Sequence, residues 1–362
     1  MRGSLTTLLT LIPRRKLKTL IPKVSIVIPH YNNYGIIEAC LKSIVSIKYS
    51  NLEIIVVDNN SSDRSAESIK QNFPFVNVVV SLKNLGFAGG CNLGAKHSTG
   101  KYILFLNNDT EMENNFLEPL VKALENHSFS SVQPKIKNYK KSHKFDYAGA
   151  SGGLMDYLVF PFARGRIFDT VEQDAGQYDK KKQIFWASGT CFLTKKEIFD
   201  TVGGFDETLF AHMEEIDYHW RCQLLGYEVW AEPQSIIYHH GATTLKVSSP
   251  LKTYLNHRNS FILLLTNYSL SSTLLFLPLK IVLEAVSFLR ELVSLRFMHA
   301  GSHVYAWLWI LFHPAYILRK KLSIYKTRKI KDSSLIDGVI YSKSIAWMYF
   351  IRKKTKFSSI EK

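Results

Sequence analysis

Several apolar runs in this 362-residue chain end on side chains able to carry or bind charge. LEIIVVD closes on Asp58, YILFLNND closes on Asn107-Asn108-Asp109, and VSIVIP leads into Pro29-His30-Tyr31-Asn32. A carboxylate at such a position can offer hard oxygen to a divalent cation or accept an N–H from a ligand, and it can equally cap the next helix. Glu214-Glu215-Ile216-Asp217 packs three acids into four residues. Such acids can take a proton from a hydroxyl, or simply meet the positive end of a helix. His239 and His240 are adjacent, and in a strand they point to opposite faces, so only one can join a given site. The run NLGFAGGCNLG (Asn84 to Gly94) lets backbone approach a ligand at a helix N-terminus; it is not a GxGxxG fingerprint, and a plain strand-to-helix turn explains it too.

These residues need elements that bring them together. VSIVIP (24–29), LEIIVVD (52–58), residues 76–80 and YILFLNND (102–109) read as short buried strands, with helices at 36–47, after the Asn59-Asn60-Ser61-Ser62-Asp63 loop, and up to about Ser98. The alternation predicts an α/β fold with a mostly parallel sheet covered on both faces. Ligands of such sheets bind outside the carboxyl ends of the strands, where His30, Tyr31, Asn32, Asp58, Asn60, Asn84 and Asn107 to Asp109 collect. Beyond a helix near 114–126, residues 110–185 read as loops, including the Lys-rich stretch 135–144.

The chain carries 46 Lys and Arg against 30 Asp and Glu, a formal charge of +16, with 46% hydrophobic residues. That apolar content excludes a disordered tail protein, and the length suits one large domain with an appendage. The positive excess lies at the ends: residues 1–23 hold six basic and no acidic side chains, and residues 251–362 hold 18 against 5. The body between is slightly acidic and has no groove-reading or base-stacking module, so nucleic acid is not the expected partner. Basic flanks suggest an anionic membrane surface. Near the C-terminus, Lys280, Glu284, Ser287, Glu291 and Ser294 recur every three or four residues, a polar stripe opposite a broad apolar face. An interfacial helix fits this better than a span, and the aromatic-rich 304–321 with its basic end fits the same surface; a helical region packing on itself or on a partner is the other reading. Four scattered cysteines without CxxC spacing read as reduced and buried, and the N-terminus lacks a secretory signal, which together suggest the cytoplasmic face.

Taken together, PHYN (29–32), VVDNNSSD (56–63), NLGFAGGCNLG, FLNNDT (105–110), SGTCFLTKKEIFDTVGGFDETLF (188–210), MEEIDYHWR (213–221), HHG (239–241) and HRN (257–259) resemble the inverting family-2 glycosyltransferases of GT-A fold, especially their rhamnosyltransferase-like branch. The resemblance covers about residues 24–265 and implies a GT-A domain there, which with the charge and apolar patterning gives three parts: a basic extension (1–23), the GT-A domain (24–265) and a helical membrane-associating region (266–362). It implies a donor sugar on dTDP, UDP or GDP, a glycan or lipid-linked acceptor, and Mg²⁺ or Mn²⁺. Asp58 is then a contact to the base, whose uracil or thymine ring N–H a carboxylate can accept. Pro29, Tyr31, Asn32, Asn60, Asn84, Gly86, Gly90, Asn92, Asn107 and Asn108 are expected to line the nucleotide and sugar site. In the DXD position the chain has Asn107-Asn108-Asp109, so Asp109 is the expected metal ligand, joined by His239. In the ED-x-D position Glu215 matches the general base, one methylene longer than the Asp of the pattern, with Glu214 and Asp217 as alternatives. Trp220, Arg221, Arg258 and Asn259 are expected in support. The reading from a different class is a membrane-associated glycan-binding or scaffold protein with a degenerate transferase domain.

Overall fold

The computed structural model describes residues 21–126, 128–241 and 249–361. All but the last three residues of the basic extension lie outside them. The chain opens with β1 (Val24–His30), α1 (Tyr34–Val45), β2 (Leu52–Asp58), α2 (Ser65–Asn72), β3 (Asn77–Val80), α3 (Gly86–His97) and β4 (Tyr102–Leu106). β1 pairs in parallel with β2 and β4, and β2 with β3, as the alternation predicts. Because successive strand side chains point to opposite faces, Ile26, Ile28, Val56 and Leu104 pack with Ile37, Cys40 and Leu41 of α1, while Val27, Ile55, Val57 and Phe105 pack with Ala88, Cys91 and Ala95 of α3. All four cysteines are buried and unbridged.

The expected mostly parallel sheet is corrected to a mixed one. After β5 (Thr110–Met112) and α4 (Leu117–Asn126) come β6 (Phe129–Asn138), a small second sheet made of β7 (Gly153–Asp156), β8 (Pro161–Ala163), β9 (Arg166–Ile167) and β10 (Thr170–Val171), then β11 (Lys182–Ile184) and β12 (Cys191–Lys195). β12 inserts antiparallel between β4 and β6. After α5 (Lys196–Val202) and α6 (Glu214–Leu224), β13 (Glu228–His239) runs parallel to β6 and antiparallel to β5 and β11. Residues 135–138 of the Lys-rich stretch read as a loop form the end of β6 and the rest is turn; Lys135 is buried with Asp174, 3.0 Å away, and Asp179 neutralising it. Lysines inside a sheet gave no strand signal in the sequence, since their carboxylate partners lie about forty residues further on.

The C-terminal part comprises α7 (Pro250–Asn267), α8 (Leu270–Val293), α9 (Phe297–Phe312), α10 (Pro314–Thr327), α11 (Asp332–Gly338) and β14 (Ile340–Tyr341). The expected boundary at 265 falls inside α7. The tail also returns to the body: β14 pairs with β7, and Ile345, Phe357 and Ile360 pack with Phe145, Phe162 and Tyr178.

α8 is the one helix among the described residues long and apolar enough to cross a membrane by length and composition. Its polar stripe turns inward over the first half: Lys280 and Glu284 are buried, with Lys280 Nζ 3.2 Å from Glu284 Oε1 and 3.8 Å above the Phe160 ring. Leu275, Ile281, Val282, Val286 and Val293 point to solvent, Leu275 at 71% exposure. That inverts the usual arrangement of a surface helix.

Candidate active site

The carboxyl ends of β1, β2 and β4 form one edge. His30 and Asp58 are register partners across β1 and β2. Asp58 Oδ2 accepts the Ser61 N–H at 3.1 Å, while buried Asp58 Oδ1 and His30 Nε2 have no hydrogen-bond partner among the described residues. An unpaired buried carboxylate oxygen is costly unless a ligand donates to it, so Asp58 both caps its loop and keeps an acceptor open. His30 Nδ1 lies 2.8 Å from Asn108 Nδ2, tying β1 to the turn after β4. Asn32 and Asn60 both have positive φ, which asparagine tolerates, and Asn32 Oδ1 accepts the Ser62 N–H at 2.8 Å. Tyr31 is exposed beside them. Pro29 abuts Gly90, on which a Cβ would stand 3.1 Å from the Pro29 Cβ.

The glycine-rich run is closely packed by the protein itself. Gly86 has φ +70, and a Cβ there would stand 2.5 Å from the Phe210 carbonyl oxygen; one on Gly90 would stand 2.8 Å from Asn59 Nδ2. The protein's own packing therefore accounts for both glycines. Asn92 is likewise taken up internally, donating to Phe205 O at 2.9 Å and accepting the Phe205 N–H at 2.9 Å. Asn84 caps the turn by accepting the Gly86 N–H at 2.9 Å.

β13 delivers a histidine to the other end of this edge. Its antiparallel pairing with β5 sets His239 opposite Thr110, so the His239 ring reaches back to Asp109, with Nε2 3.1 Å from Oδ1. His239 Nδ1 lies 2.8 Å from Asp146 Oδ1. Burial disfavours the imidazolium, but the two carboxylates outweigh it and raise the His239 pKa to about 10. His240 turns to the opposite face, stacked on Tyr139 and 2.9 Å from Glu111 Oε1. A carboxylate oxygen and an imidazole nitrogen converging, with a second carboxylate on the far ring nitrogen, fit a divalent-cation site whose histidine is oriented from behind. Asp146, in a stretch read as loop, carried no signal by spacing; only the fold places it behind His239.

α6 brings the acids. The loop entering it holds Phe210, His212 and Met213 at positive φ, strained for side chains of this size. Arg258 and Asn259 of α7 hold that loop: Asn259 Nδ2 donates to the carbonyls of Leu209, Ala211 and His212 at 3.0, 3.1 and 2.6 Å, and the Arg258 guanidinium donates to Thr208 O at 2.8 Å. The three acids then diverge. Asp217 is fully buried and ion-paired to Arg221 at 2.9 Å and Lys320 at 2.8 Å, with an Asn267 hydrogen bond at 3.1 Å. Those partners leave it a structural role, which corrects its place among the base candidates. Arg221 also donates to Val202 O and Gly204 O at 2.7 and 2.6 Å, anchoring the helix. Glu214 is buried, and desolvation followed by the neighbouring Glu215 charge pushes its pKa well up. Glu215 is partly exposed; burial raises its pKa to about 7 against backbone N–H groups that include Gly189. Thr190 O in turn accepts the Asn107 N–H at 2.9 Å, so one turn links the Glu215 end of α6 to the turn bearing Asp109. Trp220, expected in support, is in the core against Phe185 and Tyr268. Five residues on from Glu215, it lies on a different face of the helix. Lys320, which bridges Asp217 and Asp206, was not foreseen because it arrives from α10, about a hundred residues on.

The mixed sheet is that of the GT-A glycosyltransferase fold. A mannosyltransferase of Pyrobaculum calidifontis, solved with GDP-Man and Mn²⁺, superposes with TM-score 0.51 at 16% identity, over 86% of this chain and 82% of that one. The chain carries a glycosyl transferase family 2 domain, whose model matches residues 25–203. It is 26% identical over 240 residues to the dTDP-rhamnosyl transferase RfbF of Shigella flexneri, covering 62% of this chain and 75% of that protein. It is 22% identical over 235 residues to the N-acetylglucosaminyl-diphospho-decaprenol L-rhamnosyltransferase of Mycobacterium tuberculosis strain H37Rv, covering 60% and 76%. The family match ends before α6 and β13, so Glu215 and His239 rest on geometry.

Proposed function

We propose that this enzyme is an inverting, metal-dependent glycosyltransferase that moves a sugar from a nucleotide-diphosphate donor to a hydroxyl of a lipid-linked or growing cell-surface glycan. The convergence of Asp109 and His239, with Asp146 behind, is the observation that carries the reading. These two residues would hold Mg²⁺ or Mn²⁺, which when bound supplies neutralisation of charge on the leaving diphosphate. Asp58 Oδ1, open at the same edge, suits the ring N–H of thymine or uracil, and the names of the two relatives favour rhamnose as the sugar.

Glu215 is the base of choice among the three acids, because a carboxylate with pKa near 7 is poised to take a proton at neutral pH. In one displacement the acceptor oxygen bonds to the anomeric carbon, the bond to the diphosphate oxygen breaks, and the hydroxyl proton passes to Glu215. No covalent glycosyl-enzyme forms. Asp109→Asn keeps the volume and removes the charge; it should abolish transfer from dTDP-rhamnose and from UDP- and GDP-sugars while the melting temperature stays near wild type. Unchanged turnover would overturn the assignment.

The outward apolar face of α8, flanked by basic residues, supports peripheral binding to the cytoplasmic face of an anionic membrane, where a lipid-linked acceptor would lie.

A further inference from the structure

A second cluster with ligand chemistry lies where α7, α8 and α9 meet, on elements that contribute neither Asp109 nor His239. His257 Nδ1 is 2.6 Å from Glu284 Oε2, and His303 Nδ1 is 3.5 Å from the same oxygen. The three ligand atoms lie within 4.8 Å of one another. The two imidazole rings face each other with centroids 3.8 Å apart. His303 is fully buried; Nε2 has no hydrogen-bond partner among the described residues, and Nδ1 has only the long 3.5 Å approach to Glu284 Oε2. A neutral imidazole always presents one donor and one acceptor, and burying both without partners is unfavourable on a well-packed helix. A cation between Glu284 and His303 would bind Nδ1 in the tautomer that carries the ring proton on Nε2.

We propose that His257, Glu284 and His303 bind a divalent transition-metal ion of the zinc type, which staples α8 to its two neighbours. Two imidazoles and one carboxylate are a borderline-soft set, suited to zinc and poorly suited to Mg²⁺ or Ca²⁺, and a water completes four-coordination. Lys280 sits on the other carboxylate oxygen, Oε1, leaving Oε2 to the metal. Its positive charge is partly offset by Asp156, near enough to feel it. The staple explains why a helix so apolar on its outer face keeps charged residues on its inner one: the inner face is a ligand surface.

The test uses the full chain, stripped with a chelator, dialysed and titrated with Zn²⁺, and in parallel with Co²⁺, whose visible absorption reports four-coordinate binding. One tight equivalent with strong visible Co²⁺ bands is expected, equally in wild type and in Asp109→Asn. His303→Gln and His257→Gln should each weaken binding on the order of 100-fold and remove the bands. Absence of the bands in wild type, full affinity in His257→Gln, or loss in Asp109→Asn alone would overturn the proposal. Should His303→Gln fail to fold, partly exposed His257 decides, and chelation should then lower the melting temperature of wild type but not of His257→Gln.

Discussion

Replacing Glu215 with Gln separates catalysis from stability with opposite signs. The amide keeps the shape and removes the base, and loss of a general base lowers turnover by roughly 10²–10⁴-fold, about 3–5 kcal/mol of barrier. The wild-type rate should rise with pH through a midpoint near 7, where the Glu215 carboxyl ionises, and the variant should lose that limb. Stability runs the other way. The folded state holds the Glu215 proton above the 4.5 at which the unfolded chain releases it, so folding stability falls as pH rises from about 4.5 to about 7. The shift corresponds to at most about 3 kcal/mol, less for a side chain that is partly exposed. Glu215→Gln should therefore melt higher than wild type at pH 8 and alike at pH 4.5. Glu214→Gln is the control: with Glu215 as the base, its rate should stay within a few-fold and its pH midpoint should not move. Steady-state kinetics from pH 5.5 to 9 and thermal melts at both pH values measure these effects. A Glu215→Gln enzyme within threefold of wild type, or a Glu214→Gln enzyme without the alkaline limb, would refute the assignment of the base.

Asp146→Asn should leave Asp109 and His239 in place but weaken Mn²⁺ binding roughly 10–100-fold, measured by electron paramagnetic resonance titration. Asn259→Ala frees three carbonyls of the strained loop before α6, one of them buried and two part-buried; it should destabilise the fold by about 2–3 kcal/mol in urea and lower kcat more than the melting temperature alone would suggest. Leu275→Asp with Val282→Asp should reduce sedimentation with anionic vesicles roughly tenfold or more while turnover on a soluble acceptor is kept. Truncation after residue 266 is the poorer test of membrane binding, since it removes Asn267 and Lys320 from buried Asp217 and should lower stability as well; a truncated chain that melts like wild type would contradict that linkage.

From sequence alone, the alternation of apolar runs with helical stretches determined the β1 to β4 half of the sheet, because buried parallel strands and their covering helices are encoded within a few residues of one another. The polar strand ends, Asp58, Asp109 and the acids of α6, were legible for the same reason. Tertiary structure alone decided which of them share a site and what each does. Asp146 meets His239 across 93 residues and Lys320 meets Asp217 across about a hundred, pairings that no local spacing encodes. Packing also sets Gly86 against Phe210, Gly90 against Asn59 and Asn92 against the Phe205 backbone, approaches that no local spacing shows. The same holds for α8: its period of three to four residues was plain in the chain, but a period does not tell which face meets protein, and that was settled by the partners waiting for Lys280 and Glu284.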